Sequence, residues 1–89
     1  MKMVSFDFHT IANVDEFYRQ FVVKFAIEMQ FGANLDALWD ALTGMIDLPA
    51  RITLRHLAEH KDAAQFDAII AVMREAEEET AGNFSLRLR

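Results

Sequence analysis

The chain of 89 residues has no cysteine, one proline, three glycines, one tryptophan and one tyrosine. Without cysteine there is neither a disulfide framework nor a thiolate metal site, which suits a reducing compartment. No run approaches the roughly 18 apolar residues of a membrane span. Met1 to Asp7 has no uninterrupted apolar segment of the kind a signal peptide carries, so the expected location is the cytoplasm and no membrane partner is expected. Also missing are a glycine-rich phosphate loop and any Ser–His–Asp arrangement.

Basic residues are missing from two stretches. Residues 25–50 hold Glu28, Asp36, Asp40 and Asp47 with no Lys, Arg or His, and residues 75–86 hold Glu75, Glu77, Glu78 and Glu79, again with none. Eight of the fourteen acids therefore lie in base-free segments of a chain whose net charge is −5. That balance argues against nucleic acid as the main ligand, because phosphate backbones need Lys and Arg. Clustered acids instead steer a basic protein partner.

A hydrophobic fraction of 53% supports one small domain over residues 1–89 with a modest core. Met3 to Phe8, Arg51 to Arg55 and Phe84 to Arg89 alternate apolar and polar residues and read as strands. Asn13 followed by Glu16 resembles a capping box, and a helix to about Ala26 follows with Val14, Phe17, Phe21, Val22 and Phe25 inward. Residues 29–33 connect, with Gly32 as hinge. A helix over Ala64 to Thr80 buries Phe66, Ile69, Ile70, Met73 and Ala76, and Gly82 and Asn83 end it. His56 to His60 reads as a short helix. Strands separated by helices predict an α/β fold, a three-stranded parallel sheet with about four helices. Alternation on every strand places the helices mainly on one face and leaves the other open, with Arg51, Arg55, Arg87 and Arg89 opposed only by Asp7.

The most informative stretch is Asn34 to Gly44. Asn34 suits an N-cap, and Gly44 suits a left-handed stop before Pro49. Leu35, Leu38, Trp39 and Leu42 form one apolar stripe, while Asp36 and Asp40 lie i, i+4 on another face beside Thr43. Like charges so placed repel by roughly 0.2–0.5 kcal/mol, and no base on this helix offsets them. Glu75, Glu77, Glu78 and Glu79 crowd the end of the last helix, where the dipole favours cations. A solvated acidic face is the simpler alternative. Two helices with the same local conflict favour a face awaiting a cationic partner.

Two features suggest chemistry. His56, Glu59 and His60 match H-x-x-E-H, a zinc-protease pattern. A catalytic zinc also needs a third ligand and a cleft, for which so small a domain has little room, so His56, His60 and His9 read as surface residues. Paired carboxylates can do acid–base work, but Asp36 and Asp40 share one convex face rather than flanking a cleft. The expectation is a non-enzyme without cofactor or metal.

The segment from Asn34 through Trp39, Asp40 and Gly44, followed by Pro49, resembles the barstar family of intracellular ribonuclease inhibitors. Phe31-Gly32 before it and Met73 to Ala76 in the last helix extend the resemblance. It implies an inhibitor of a basic, secreted-type ribonuclease. Asp40 would occupy the enzyme's phosphate pocket, with Asp36 as a second charged contact and Glu75 as a salt link. Asn34, Leu35, Trp39, Thr43 and Gly44 would form the surrounding surface, with Phe31 and Met45 at its edges. This chain departs from the family at Gln30 and Phe31, where the family has tyrosines, and at Met45, where it has tryptophan. Those losses keep open a second role, an acidic interaction module whose basic partner is not a ribonuclease.

Overall fold

A computed structural model describes residues 1–28 and 30–89; Met29, the first residue of the expected connector, lies outside the described residues. Strand β1 (Lys2–Asp7) leads to α1 (Val14–Lys24) and α2 (Leu35–Asp40), then β2 (Ala50–Arg55), α3 (Asp67–Glu79) and β3 (Phe84–Leu88). The three strands form one parallel sheet in the order β1-β2-β3. Among the described residues there are three α-helices rather than about four. The segment expected as a short helix after β2 is a single 3₁₀ turn, Leu57–Glu59, and a second 3₁₀ turn, Ala63–Phe66, precedes α3.

Alternation along the strands decides the layering. Phe6, Ile52, Leu54, Phe84 and Leu86 point to the covered face and are buried. Phe17, Tyr18 and Phe21 of α1, Leu38 and Leu42 around α2, and Phe66, Ile69, Met73 and Ala76 around α3 close over them. Phe6 lies 4.8 Å from Phe17 between ring centroids, and Phe8 lies 4.8 Å from Phe66. Truncating such a phenylalanine to alanine costs about 3–5 kcal/mol. The other sheet face is open. Register aligns Thr53 with Arg87 and places Arg51 beside Ser85. Arg51, Arg55, Arg87 and Arg89 there line a concavity of about 530 Å³, and among the described residues none has a carboxylate within ion-pair distance.

Helix ends follow local chemistry. Asn13 caps α1 by accepting from Glu16 N at 2.9 Å. The Glu16 carboxylate does not complete a reciprocal box. It turns to Arg19, accepting at 2.9 and 2.7 Å, and to Gln20 at 2.9 Å. α1 and α3 both end with a left-handed residue and paired 6→1 and 5→2 bonds. At α1, Ala26 (φ 51) is left-handed, with Ile27 N to Val22 O and Ala26 N to Val23 O. At α3 both Ala81 (φ 53) and the expected Gly82 (φ 85) are left-handed, with Gly82 N to Glu77 O and Ala81 N to Glu78 O. Among the described residues no helix is long and apolar enough to cross a membrane.

Candidate functional site

The acidic helix starts where the sequence places it. Asn34 is extended at φ −142 and ψ 174, and its side-chain oxygen accepts from Ala37 N at 2.8 Å. Its Nδ2 donates back to Gly32 O at 3.2 Å, so one side chain fixes both the helix start and the loop before it. The helix does not stop at Gly44. It widens into a π-helical turn, Ala41–Met45, closed by Ile46 N to Ala41 O at 3.0 Å. Gly44 is not left-handed, contrary to expectation. The chain leaves the helix at Ile46, which is extended. Thr43 Oγ1 donates to Trp39 O at 2.8 Å, a back-bond that occupies its hydroxyl hydrogen.

The apolar stripe is narrower than expected. Leu38 and Leu42 are fully buried and Trp39 is half-buried, but Leu35 is 39% exposed. Leu35 belongs to the first turn, before the helix has come against the core. Asp36 and Asp40 are exposed, as are Asn34, Gly44 and Met45. Among the described residues, neither aspartate has an ion-pair partner or a side-chain hydrogen bond. Both carboxylates are therefore open to solvent and accessible to an incoming cation.

Phe31 packs against α1. It is half-buried, with ring centroids 6.0 Å from Tyr18 and 5.6 Å from Phe21, so it ties the loop before α2 to α1. Burial pushes the Tyr18 phenol up. The expected residues from 31 to 45 thus form one continuous loop, helix and π turn. Glu75 is exposed on α3, the helix that packs against α2. Not all of its acidic neighbours are free. Glu77 Oε2 accepts from Leu86 N at 3.2 Å and its other oxygen lies 3.8 Å from Arg74, so this residue joins α3 to β3. The 74–77 spacing announces the ion pair; nothing in the sequence announces the bond to a strand nine residues on.

The zinc-protease pattern does not assemble. His56 is left-handed (φ 63), outside any helix, and its Nδ1 lies 2.9 Å from Asp7 Oδ1. His60 turns the other way, with Nε2 2.8 Å from Ile11 O, and its ring packs edge-on against Phe66.

A three-stranded parallel sheet covered on one face by helices, with a capped helix whose two aspartates are exposed, defines a small α/β domain. The sequence model of one family, barstar (barnase inhibitor), matches residues 1–88. The chain belongs to the barstar family. It is similar, at 30% identity over 88 residues and 97% of each chain, to a Bacillus subtilis (strain 168) protein named "Putative ribonuclease inhibitor YrdF".

Proposed function

We propose that this protein inhibits a barnase-type ribonuclease by inserting the acidic face of α2 into the enzyme's basic active site. The observation that carries the proposal is the pair Asp36 and Asp40, exposed and unpaired on a helix whose start is locked by Asn34. A ribonuclease site is cationic because it binds phosphate, and a carboxylate held on a short rigid element can replace that phosphate. Preorganisation matters, because side chains already fixed lose less entropy on binding. Asp40 takes the phosphate position, Asp36 a second cationic contact, and Glu75 a salt link from α3. Asn34, Leu35, Trp39, Thr43, Gly44, Phe31 and Met45 supply the surrounding surface. The family membership and the name of the relative support the inhibitory role. The protein itself performs no catalysis in this reading.

One observation favours a different basic partner on the same face. Phe31 spends much of its ring on Tyr18 and Phe21, and Met45 is a flexible, 41% exposed anchor. Aromatic anchors usually dominate such interfaces, so a shifted set of anchors means a shifted partner. The test is RNA cleavage by a barnase-type ribonuclease titrated with the protein and with Asp40→Ala. Inhibition should fall by about 2 kcal/mol or more in the variant, roughly thirtyfold. Association should slow as salt rises. Full activity of the enzyme beside excess wild-type protein would transfer the acidic face to another basic partner.

A further inference from the structure

Four arginines that the inhibitory face does not use stand on the open side of the sheet. Arg51 and Arg55 alternate with Thr53 along β2. Arg87 and Arg89 end β3 beside them, since register sets Thr53 against Arg87 and Arg89 N donates to Leu54 O at 2.9 Å. Arg51 Nε donates to Ser85 Oγ at 3.3 Å, and among the described residues none of the four has a carboxylate within ion-pair distance. Like charges on neighbouring strands repel. The one acid that the strands contribute to this face, Asp7, turns to His56 at 2.9 Å.

The opposite imbalance holds across the core. The packed side chains of the helices lie between these arginines and the exposed Asp36, Asp40 and Glu75, so the two sets cannot meet within one chain. They match in spacing. Asp36 and Asp40 are displaced by about 6 Å along α2, and Arg87 and Arg89, two residues apart on a strand, by about 6.6 Å. They match in shape, a convex helix against a concavity of about 530 Å³. Exposed apolar residues accompany both sets. Met3 and Leu88 line the concavity, 66% and 49% exposed, while Leu35 and Met45 flank the aspartates. Charge mixed with exposed apolar surface is the make-up of a protein interface. A nucleic-acid strand fits less well, because the concavity has no aromatic ring on which bases could stack.

We propose that the open sheet face of one molecule binds the acidic face of a second copy, its arginines meeting Asp36, Asp40 and Glu75 of that copy. Two different patches join, so the contact is heterologous. Each added copy leaves one face of each kind free, and association runs on into short chains instead of stopping at a dimer. Each contact is weak, because exposed ion pairs contribute little and a net charge of −5 repels at long range. Chains therefore form at high protein concentration and dissolve in salt. The association needs only the two charged faces. One consequence rests on the inhibitory reading: a molecule within a chain has Asp40 covered and is held in reserve until dilution or the enzyme releases it.

The test is sedimentation equilibrium of the full, untagged chain at about 1 mM and pH 7. In about 0.01 M salt, where charges reach roughly 30 Å, the average mass should exceed that of two 10.2 kDa chains; in about 1 M salt, where they reach about 3 Å, it should return to one. Asp36→Asn with Asp40→Asn should stay monomeric at low salt, and so should Arg87→Gln with Arg89→Gln. Mixed in equal amounts, these two double variants should form pairs that grow no further, since each keeps one of the complementary faces. The arginine variant should inhibit a barnase-type ribonuclease as dilute wild type does, so loss of association and loss of inhibition are read separately. A wild type that stays monomeric at low salt, a mass that stops at two chains, association that persists in high salt, or double variants that fail to pair would each overturn the assignment. A single-stranded RNA oligonucleotide held by a wild type that stays monomeric, and released by the arginine variant, would give this face to nucleic acid instead.

Discussion

Gly32 and Asn34 hold each other in place. The Asn34 amide donates to Gly32 O, and a Cβ added at position 32 would stand 2.9 Å from that same Asn34 Nδ2. The glycine leaves room for the cap, and the cap fixes the first turn of the acidic helix. Asn34→Ala should destabilise the protein by about 1 kcal/mol through loss of the cap. Gly32→Ala should cost a similar amount by displacing it. In the double variant the two losses should not add, because both act through one side chain. Urea denaturation of the four proteins checks this, and full additivity would separate Gly32 from the cap.

Asp40 should cost the free protein stability while serving its partner. Asp36 is in the first turn and gains from the helix dipole, whereas Asp40 lies a turn further on and faces Asp36 as a like charge. Asp40→Asn should therefore raise the unfolding free energy by roughly 0.2–0.5 kcal/mol at low salt, with the gain shrinking as salt rises. The same variant should weaken ribonuclease inhibition. An unchanged or lower denaturation midpoint for Asp40→Asn would remove the Asp36–Asp40 repulsion as a cost to the free protein.

Ala26 pays a conformational cost that glycine would not. Its left-handed φ of 51 closes α1, and an L-residue in that region loses roughly 1–2 kcal/mol. Ala26→Gly should raise stability by about 0.5–1 kcal/mol, since the added freedom of the unfolded chain offsets part of the relief. Thermal melting reads the effect directly.

Glu16 gives a defined acid response. Arg19 first, and then Gln20, bond its carboxylate and hold its pKa down at about 2. A depressed folded-state value means that stability from these bonds is fully present above the unfolded value near 4.5 and fades as pH falls through about 2. The stability difference between wild type and Glu16→Gln should be constant above pH 5 and should narrow below it. A difference that stays flat down to pH 3 would remove the carboxylate as its source.

Much of this was legible because it is local. Alternation gave the strands, Asn13 and Asn34 announced two helix starts, and the spacing of Leu38 and Leu42 announced a buried stripe. What escaped depends on distance or on small differences. The turn at Gly44 could close as a left-handed stop or as a π turn, and only the path to β2 decides between them. Phe31 finds Tyr18 and Phe21 across a loop, and His9 meets His56 through strand register. No local pattern in the sequence encodes those meetings. The bond from Glu77 to Leu86 is of the same kind, since it exists only once β3 has docked.

The π turn at Ala41–Met45 holds one residue more than an α-helical turn needs. Loss of Gly44, whose added Cβ would meet nothing within 4 Å, would let Ile46 N reach Ala41 O through an ordinary α-helical ring. Leu38 and Leu42 lie upstream and would keep their places in the core. The chain can therefore change length by one residue here without rebuilding the acidic face or the sheet. Relatives one residue shorter at this point would differ in their route to β2 and not in what they present to a partner.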